Sequence, residues 1–320
     1  MKHFKIYYLL LVLVLFTGCY SSKNIEPQYQ DTSKLSAEAE ILEFPSVRSS
    51  DHASLILVHY MPWFQAPPVS DSYGLHWHQG GGNFDPYEVL DNGYANIASH
   101  YYPLTGPYDT RDEKILEYQA ALFKIAGIDG VIFDWYGIEE SLDYPLIYES
   151  TNKMIEVLKR AGLKYVMCYE DQSIGKMIEA GAFSKTQAVE YGQNALKWLN
   201  DHCFSDDSYI RYDGRPVLMC FGPQYFKDEK EWNAVFSECS IKPYFIGLES
   251  HSEDFTDGSY NWFNMNGTKT QRQLVDQLNS FYEKQAQKSF LIATAFPSFH
   301  DIYALCGQKS YGFLDYLEGK

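Results

Sequence analysis

The stretch that most constrains the fold is Gly127 to Gly137, GIDGVIFDWYG, in which β-forming residues lie between two glycines. Val131, Ile132 and Phe133 are apolar without alternation, which predicts a parallel strand that is covered on both faces. A carboxylate and two aromatic side chains follow at the C-terminal end of this strand. In α/β barrels this end of the strands carries the reacting groups.

Helical patterns flank this strand. Asp112 to Ala126 has a broad apolar stripe that begins after Thr110, a candidate N-cap, and Tyr148 to Ala161 is amphipathic and ends at Gly162. The strand and helix patterns recur along the chain. The predicted strands begin near Ser54, Gly130, Leu163, Arg215, Lys242, Tyr260 and Ser289.

This order predicts an α/β fold, a (β/α)8 TIM-type barrel. Barrels of this type close with eight strands, and no eighth strand pattern is found before Lys320. We therefore expect the barrel to be open where the eighth strand belongs. The strands that begin at Ser54 and Ser289 should then present hydrophobic edges.

Length and charge restrict the class of protein. Residues 51–320 are predicted to form one barrel domain, because a barrel needs about 250 residues. The formal net charge is −16 and no Lys/Arg cluster is present, so we expect no binding to nucleic acid. Aromatic residues make up 17% of the chain, which is common where flat rings stack on sugars.

The N-terminus is typical of an export signal. Lys2 and Lys5 precede the apolar run Tyr7 to Phe16, which is shorter than the ~20 residues that span a bilayer. Residues 1–19 resemble a bacterial lipoprotein signal peptide with Cys19 as the lipidated residue. Residues 20–50 are polar and are predicted to be a flexible tether. We expect a cell-envelope protein that is held at the membrane by the lipid on Cys19.

Three carboxylates are candidate catalytic residues. Asp134, Glu170 and Glu249 each stand at the C-terminal end of a predicted strand, so the barrel would bring them to one rim. The alternative for each is a structural role in an ion pair with Arg or Lys.

Aromatic and histidine side chains near the strand ends are candidate substrate-binding residues. They are Tyr60, Trp63, His76, Trp77, His78, Trp135 and Tyr136. The alternative for His76 or His78 is a turn-capping role.

The cysteine pattern predicts no cofactor and no metal site. No CxxC or His/Cys ligand spacing is present. Cys168 and Cys220 lie in apolar strand patterns and should be buried thiols. Cys203 and Cys239 could form a disulfide in an oxidising compartment, and the sequence leaves this open.

Five motifs occur in a fixed order, and together they carry a resemblance to a known family. They are HYMPWF, LHWH, YYPLTGPYDTRDEKIL, AGIDGVIFDWYG and ATAFPSFHDIY, within residues 54–315. They resemble the bacterial glycoside hydrolases of families 71 and 99. This resemblance implies a (β/α)8 barrel, endo-action on α-mannan, N-glycans or α-1,3-glucan, and an oligosaccharide or polysaccharide substrate. It places Tyr60, Trp63, His76, His78, Trp135, Tyr136 and Glu170 in the sugar-binding cleft.

The sequence departs from these families at one motif. Their principal acid/base pair comes from a Trp-Asn-(Asp/Glu)-x-x-Glu-Gly motif on the eighth strand, and this motif is absent here. The chain could be a fragment of an active enzyme, a barrel that only binds glycans, or an enzyme whose chemistry comes from Asp134, Glu170 and Glu249. The expected function is a glycoside hydrolase, with an inactive glycan-binding surface lipoprotein as the alternative. The chain as given is expected to hydrolyse glycans poorly or not at all.

Overall fold

The structure, a computed structural model, describes residues 54–80, 83–251, 254–262, 271–285, 292–295 and 299–314. The predicted signal peptide, the lipidation site Cys19 and the tether lie outside these residues.

The elements alternate between strands and helices for most of the chain. The strands are β1 Leu57–Tyr60, β2 Gly130–Trp135, β3 Lys164–Tyr169, β4 Arg211–Tyr212, β5 Arg215–Cys220, β6 Tyr244–Leu248, β7 Gly258–Tyr260, β8 Phe299–His300 and β9 Phe313–Leu314. The helices are α1 Leu75–His78, α2 Glu113–Ile125, α3 Tyr144–Arg160, α4 Gln172–Glu179, α5 Ala188–His202, α6 Glu229–Val235 and α7 Gln271–Gln285. Single 3₁₀ turns lie at Lys185–Gln187, Phe236–Glu238 and Tyr303–Cys306.

Six parallel strands form the central sheet, in the order β1-β2-β3-β5-β6-β7. The short β4 pairs antiparallel with β5, and β8 and β9 form a separate antiparallel pair. Successive parallel strands are neighbours because each helical crossover returns the chain to the next position in the sheet.

The sheet curls into a barrel wall. If it were flat, β1 and β7 would lie about 24 Å apart, since neighbouring strands are separated by about 4.8 Å. Instead the His59 ring on β1 lies 5.9 Å from the Tyr260 ring on β7. The predicted (β/α) barrel is confirmed, and the described strands form an incomplete one.

The region of the predicted seventh and eighth strands is only partly described. Within the part of the chain that the structure covers, Ile292 makes a parallel bridge to Tyr260, and β1 pairs with β2 alone. A groove of about 280 Å³ lies beside β1, between Val58 and Phe123 of α2. Among the described residues, β1 therefore has one strand neighbour, and the expected opening of the barrel stays a prediction.

Some predicted boundaries were wrong. The strand expected to begin at Tyr260 ends there, and α3 begins at Tyr144 instead of Tyr148. Pro145 stands in the first turn of α3, where its missing N–H costs nothing. Helix α4 was not predicted, and its Gly175 allows close approach to the Tyr225 ring, 3.2 Å from where a Cβ would stand.

The two faces of β2 have different environments. Phe133 and Trp135 face the helices, where Trp135 packs against Trp198 of α5. By the alternation of a strand, Asp134 therefore faces the barrel interior. The described part of the chain has no helix that is long and apolar enough to cross a membrane.

Candidate active site

Two buried carboxyl groups meet at the C-terminal end of the sheet. Asp134 belongs to β2 and Glu170 directly follows β3; their side chains are 5% and 6% exposed. The register pairs Asp134 with Cys168, so Asp134 and Glu170 lie on the same face of neighbouring strands. The two carboxyl groups lie close enough for each to shift the pKa of the other. The structure thus brings together two of the three predicted catalytic carboxylates.

Neutral polar groups surround this pair. The Tyr136 hydroxyl donates to Oδ2 of Asp134 at 3.1 Å, and Nε2 of Gln172 donates to Oε2 of Glu170. Across the region that the structure describes, no lysine or arginine is hydrogen-bonded to either carboxyl group. The negative charge of the pair is therefore not balanced by a cation in direct contact.

Burial controls the ionisation of the pair. Burial raises the pKa of Asp134 well above its ordinary value, and the neighbouring Glu170 raises it further. Burial also raises the pKa of Glu170, while hydrogen bonds from Gln172, Asp134 and Tyr136 oppose that rise. Two neighbouring carboxylates away from water repel each other, so protonation of one of them is favoured over ionisation of both. Such a pair can both donate and accept a proton.

The hydroxyl of Tyr136 remains a hydrogen-bond donor at all physiological pH values. Burial, followed by the charges of Asp134 and Glu170, raises the pKa of Tyr136 far above its ordinary value. Its ring stacks on Tyr144, with centroids 5.2 Å apart and planes 22° apart. Tyr136 therefore connects the carboxyl pair to the first turn of α3.

A second stacked pair lies next to that turn. Trp63 and His76 stack with centroids 4.4 Å apart and planes 6° apart. Nε2 of His76 lies 3.3 Å from Oδ2 of Asp143, the residue that precedes Tyr144. The predicted residues Trp63, His76 and Tyr136 are thus linked to one another through the turn before α3. We call Trp63, His76, Tyr136 and Tyr144 the aromatic wall.

Three predicted substrate-binding residues are corrected by the structure. Trp135 is fully buried on the helix side between Tyr169 and Trp198. Tyr60 is also buried, and its hydroxyl donates to Gln119 of α2 at 2.8 Å.

The third correction is Trp77, which is 2% exposed. Its Nε1 donates to the Tyr108 carbonyl at 2.9 Å, and its ring packs on Phe64 in a small core beneath the loops. The expectation for all three failed because an aromatic ring at or near the end of a strand can pack in the core instead of contacting a ligand.

Glu249 and His78 have structural partners. The Glu249 carboxylate forms an ion pair with Lys284 of α7 at 3.1 Å, which is the structural role given above as its alternative. The catalytic role of Glu249 stays a prediction. Nδ1 of His78 accepts the Gly80 N–H at 3.1 Å, so His78 stabilises the turn after α1. The alternative reading of His78 is the one that the geometry supports.

The neighbour of Glu170 has a structural task. Asp171 is fully buried and accepts the backbone N–H groups of Gln224, Tyr225 and Phe226 at 2.7–3.0 Å. Burial raises the pKa of Asp171, and these hydrogen bonds oppose the rise. Asp171 fixes the loop after β5 to the start of α4, which carries Gln172.

Sequence reasoning missed several residues that line the barrel interior. His59 contacts the rings of Tyr260 and Trp262, and burial lowers its pKa to about 4, so its imidazole is neutral at physiological pH. Cys168 lies 3.4 Å from the Tyr260 hydroxyl. The position of His59 immediately before Tyr60 in β1 was the available signal, since adjacent strand residues face opposite sides. Asp143, Tyr144 and Gln172 were also missed.

The cysteines of the described residues are free thiols. No group of three or more His, Cys, Asp or Glu side chains in the described ranges is arranged to hold a metal ion. Cys168 and Cys220 are buried free thiols, as predicted. Cys203 and Cys239 are also free thiols, and burial raises the pKa of each to about 12.

The chain is similar to a known protein family and to endo-alpha-mannosidases. A family model described as glycosyltransferase WbsX matches residues 56–311. A glycoprotein endo-alpha-1,2-mannosidase-like protein of Danio rerio is 33% identical over 95 residues, which cover 27% of this chain and 21% of that protein. The glycoprotein endo-alpha-1,2-mannosidase of Rattus norvegicus is 23% identical over 277 residues, which cover 78% of this chain and 56% of that protein. The chain thus spans about half the length of this longer-matching relative.

Solved structures share the fold. The GH99 endo-alpha-mannosidase from Bacteroides thetaiotaomicron has a TM-score of 0.56 at 19% identity, covering 77% of this chain and 73% of that one. A glycoside hydrolase-like protein has a TM-score of 0.51 at 14% identity, covering 72% and 75%. The resemblance to glycoside hydrolase families 71 and 99 is confirmed.

Proposed function

The chain belongs to the family described as glycosyltransferase WbsX, and within it we propose a glycoside hydrolase that cleaves α-linked oligosaccharides or polysaccharides internally. The observation that carries this proposal is the Asp134–Glu170 pair, two buried neighbouring carboxyl groups in a cation-poor site beside Tyr136 of the aromatic wall. Burial raises the pKa of both groups, and their mutual repulsion favours a shared proton. Hydrolysis requires a proton for the departing sugar oxygen and a base for the attacking water. The pair can supply both.

The reaction can be written with this pair as its only proton donor and acceptor. The pair gives its proton to the glycosidic oxygen as the bond from that oxygen to C1 breaks, and the electron pair leaves with the oxygen. The two carboxylates then stabilise the positive charge that develops on the sugar ring. Water adds its oxygen to C1 and returns one proton to the pair. The net change is hydrolysis, and the pair recovers its initial protonation state.

The spacing of the two carboxyl groups restricts their roles. Carboxyl groups on opposite sides of a scissile bond lie about 5–5.5 Å apart in retaining enzymes and about 6.5–9.5 Å apart in inverting ones. Asp134 and Glu170 lie on the same face of neighbouring strands and close to each other, so we place both on the same side of the scissile bond. The proposal therefore treats them as a single acid/base unit.

The substrate class follows from the aromatic wall and from the relatives. The half-buried ring of Tyr136 stands beside the carboxyl pair, and the half-buried ring of Trp63 belongs to the same aromatic wall. Rings of this kind stack on the apolar faces of sugars. The Rattus norvegicus relative is an endo-alpha-1,2-mannosidase, and the Bacteroides thetaiotaomicron structure is an endo-alpha-mannosidase. We therefore propose α-mannan or N-glycan oligosaccharides as the first substrates to test and α-1,3-glucan as the second.

The decisive test measures hydrolysis by the full chain and three variants. Asp134→Asn and Glu170→Gln should each lower kcat at least ~100-fold, the usual loss when a general acid or base is removed. Glu249→Gln is the matched control, because it also changes a carboxylate after a strand but one that is paired with Lys284. It should change kcat less than about 2-fold. Equal loss in all three variants would contradict the assignment of the pair.

A second candidate is glycan binding without turnover. The proximity of Asp134 and Glu170 favours it, because displacement needs two carboxyl groups on opposite sides of the scissile bond, and these two lie on one face of neighbouring strands. Isothermal titration with α-mannan and α-1,3-glucan oligosaccharides, run beside the hydrolysis assay, separates the two candidates. Binding with no reducing-end release would establish the binding protein and reject the hydrolase.

The cell-envelope location is proposed separately. It rests on the lipoprotein-like signal that ends at Cys19. Labelling cells with a radioactive fatty acid should mark the wild-type chain and not a Cys19→Ala variant. A Cys19→Ala variant that still incorporates the label would reject lipidation at this residue.

A further inference from the structure

We propose that Asp134 carries the shared proton, that Glu170 is the ionised member of the pair, and that Gln172 is the positioning residue that fixes this arrangement. The inference rests on the proposed acid/base role of the pair and assigns a separate task to each member. It also gives a task to Gln172, which follows Glu170 by two residues and opens α4.

The hydrogen-bond donors are distributed unequally between the two carboxyl groups. The side-chain N–H of Gln172 donates to Oε2 of Glu170, and an amide N–H can only donate. The partner of Asp134 besides Glu170 is Tyr136, whose hydroxyl can either donate or accept a hydrogen bond. Among the described residues, Asp134 therefore lacks a partner that can only donate. A carboxylate gains more than a carboxylic acid does from an additional donor. The amide therefore stabilises the negative charge on Glu170.

The backbone prevents Gln172 from moving away. The N–H of Glu170 donates to the Trp135 carbonyl at 2.9 Å, and the N–H of Ser173 donates to the Glu170 carbonyl at 3.0 Å. Asp171, between Glu170 and Gln172, is held by three backbone N–H groups of the loop after β5. Glu170 and Gln172 are thus fixed on either side of an anchored residue. The positive end of the α4 dipole lies on the Glu170 side and also favours its ionised form.

The remaining titratable groups around the pair do not alter this assignment. They are Tyr136 after β2, Asp143 and Tyr144 at the start of α3, Cys168 on β3, Asp171 before α4 and Tyr260 on β7. Burial raises the pKa of the three tyrosines and of Cys168, so these groups are neutral at physiological pH. The nearby carboxylate Asp171 raises the pKa of Glu170, but the backbone N–H groups that donate to Asp171 offset its charge.

The direction of the pKa shifts agrees with the assignment. The contact with Glu170 raises the pKa of Asp134, whereas the contact with Asp134 lowers that of Glu170.

Infrared spectroscopy of the full chain tests the assignment without any substrate. A protonated carboxyl group has a C=O stretching band that is separate from the carboxylate bands. At neutral pH this band should be present in the wild type, absent in Asp134→Asn and retained in Glu170→Gln. Both substitutions keep the shape of the side chain and remove a buried acid, so the variants are expected to fold, and circular dichroism checks this. Loss of the band in Glu170→Gln with retention in Asp134→Asn would reverse the assignment and overturn the proposal, as would no band in the wild type.

The role of Gln172 is tested in a double variant. Combining Asp134→Asn with Gln172→Leu leaves Glu170 buried without its amide donor, so the band should return at neutral pH. Gln193→Leu in the Asp134→Asn background is the matched control. It also removes a side-chain amide that donates within the fold, to the Ala234 carbonyl at 3.0 Å, and it should leave the band absent. A double variant with Gln172→Leu that shows no band would remove Gln172 from the proposal.

The spectroscopic result is independent of catalysis. If the band behaves as expected and no glycan is hydrolysed, the proton assignment stands and the hydrolase proposal fails. If glycans are hydrolysed, Gln172→Leu should move the acidic limb of the pH–rate profile to higher pH, because Glu170 must then lose its proton without help from the amide. An unchanged acidic limb would show that Gln172 acts only on the structure of α4.

Discussion

The replacement of Trp77 by alanine separates a core residue from a ligand-binding residue. The sequence predicted Trp77 as a substrate-binding residue, whereas the structure shows it 2% exposed in a small core with Ala66 and Ile97. Its ring lies 4.3 Å from the Phe64 ring, and its Nε1 donates to the Tyr108 carbonyl. The substitution should therefore lower the free energy of unfolding and leave the affinity for glycans unchanged.

The magnitude follows from the buried area and the hydrogen bond. A tryptophan buries about 150–250 Å², which corresponds to about 4–6 kcal/mol at ~25 cal/mol per Å². Measured losses for Trp→Ala in cores are about 3–5 kcal/mol, since the neighbours relax partly into the space. The unpaired Tyr108 carbonyl adds about 1–3 kcal/mol. We expect a total loss of about 4–8 kcal/mol, a large part of the ~5–15 kcal/mol that holds a domain folded.

Urea unfolding measures the stability, and isothermal titration with an α-mannan oligosaccharide measures the affinity. Trp63→Ala is the matched control, because Trp63 is a half-buried ring of the aromatic wall that stacks on His76. It should weaken glycan binding ~10-fold or more and lower the stability by less than Trp77→Ala does. Trp77→Phe keeps most of the ring and should lose only about 1–3 kcal/mol, the cost of the unpaired carbonyl. If Trp77→Ala weakened binding and left the unfolding curve unchanged, the assignment of Trp77 to the core would be refuted.

Three further predictions concern stability. Leu142 is 60% exposed and has a φ of 53°, a backbone conformation that glycine adopts without strain. Leu142→Gly should therefore raise the free energy of unfolding, measured in urea, by up to about 1 kcal/mol after the entropy cost of glycine is subtracted. A lower free energy of unfolding would show that the Leu142 side chain contributes packing. Burial raises the folded-state pKa of Asp134 above its ordinary value of 3.8, so between 3.8 and the raised pKa the folded protein binds more protons than the unfolded one. The free energy of unfolding should accordingly fall as pH rises from about 3.8 through the raised pKa, and Asp134→Asn should flatten this dependence in a urea series; an unchanged slope would contradict the shift. Asp171→Ala leaves three backbone N–H groups without their acceptor and should lower the free energy of unfolding by about 3–9 kcal/mol. Asp171→Asn keeps one acceptor oxygen and should lower it by less. Equal unfolding curves for the two variants would reject the anchoring role of Asp171.

Several features of the fold and the site followed from the sequence alone. The continuous apolar run in Gly127 to Gly137 predicted a buried parallel strand, because a strand covered by helices on both faces needs no polar side. A carboxylate at the C-terminal end of such a strand must lie on the rim of the barrel. This reasoning located Asp134 and Glu170, which lie close together because parallel strands in register bring their ends to one edge.

The direction of each side chain could not be read from the same pattern. A strand that is apolar on both faces has no alternation, so neither residue of an adjacent pair is marked as the interior one. Trp135 therefore faced the helices while Asp134 faced the interior, and Tyr60 faced α2 while His59 lined the barrel. These orientations depend on which neighbouring element covers each face.

Contacts between distant segments were decided only by the tertiary structure. Glu249 meets Lys284, and His76 meets Asp143, because the curled sheet and the crossover helices bring these residues together. Sequence separation carries no signal for such pairs. The amide of Gln172 reaches Glu170 because Asp171 is anchored between them by the loop after β5. The sequence by itself determined the barrel and the two carboxyl groups on its rim, while the curvature of the sheet and the anchoring of its loops determined which neighbours control their proton.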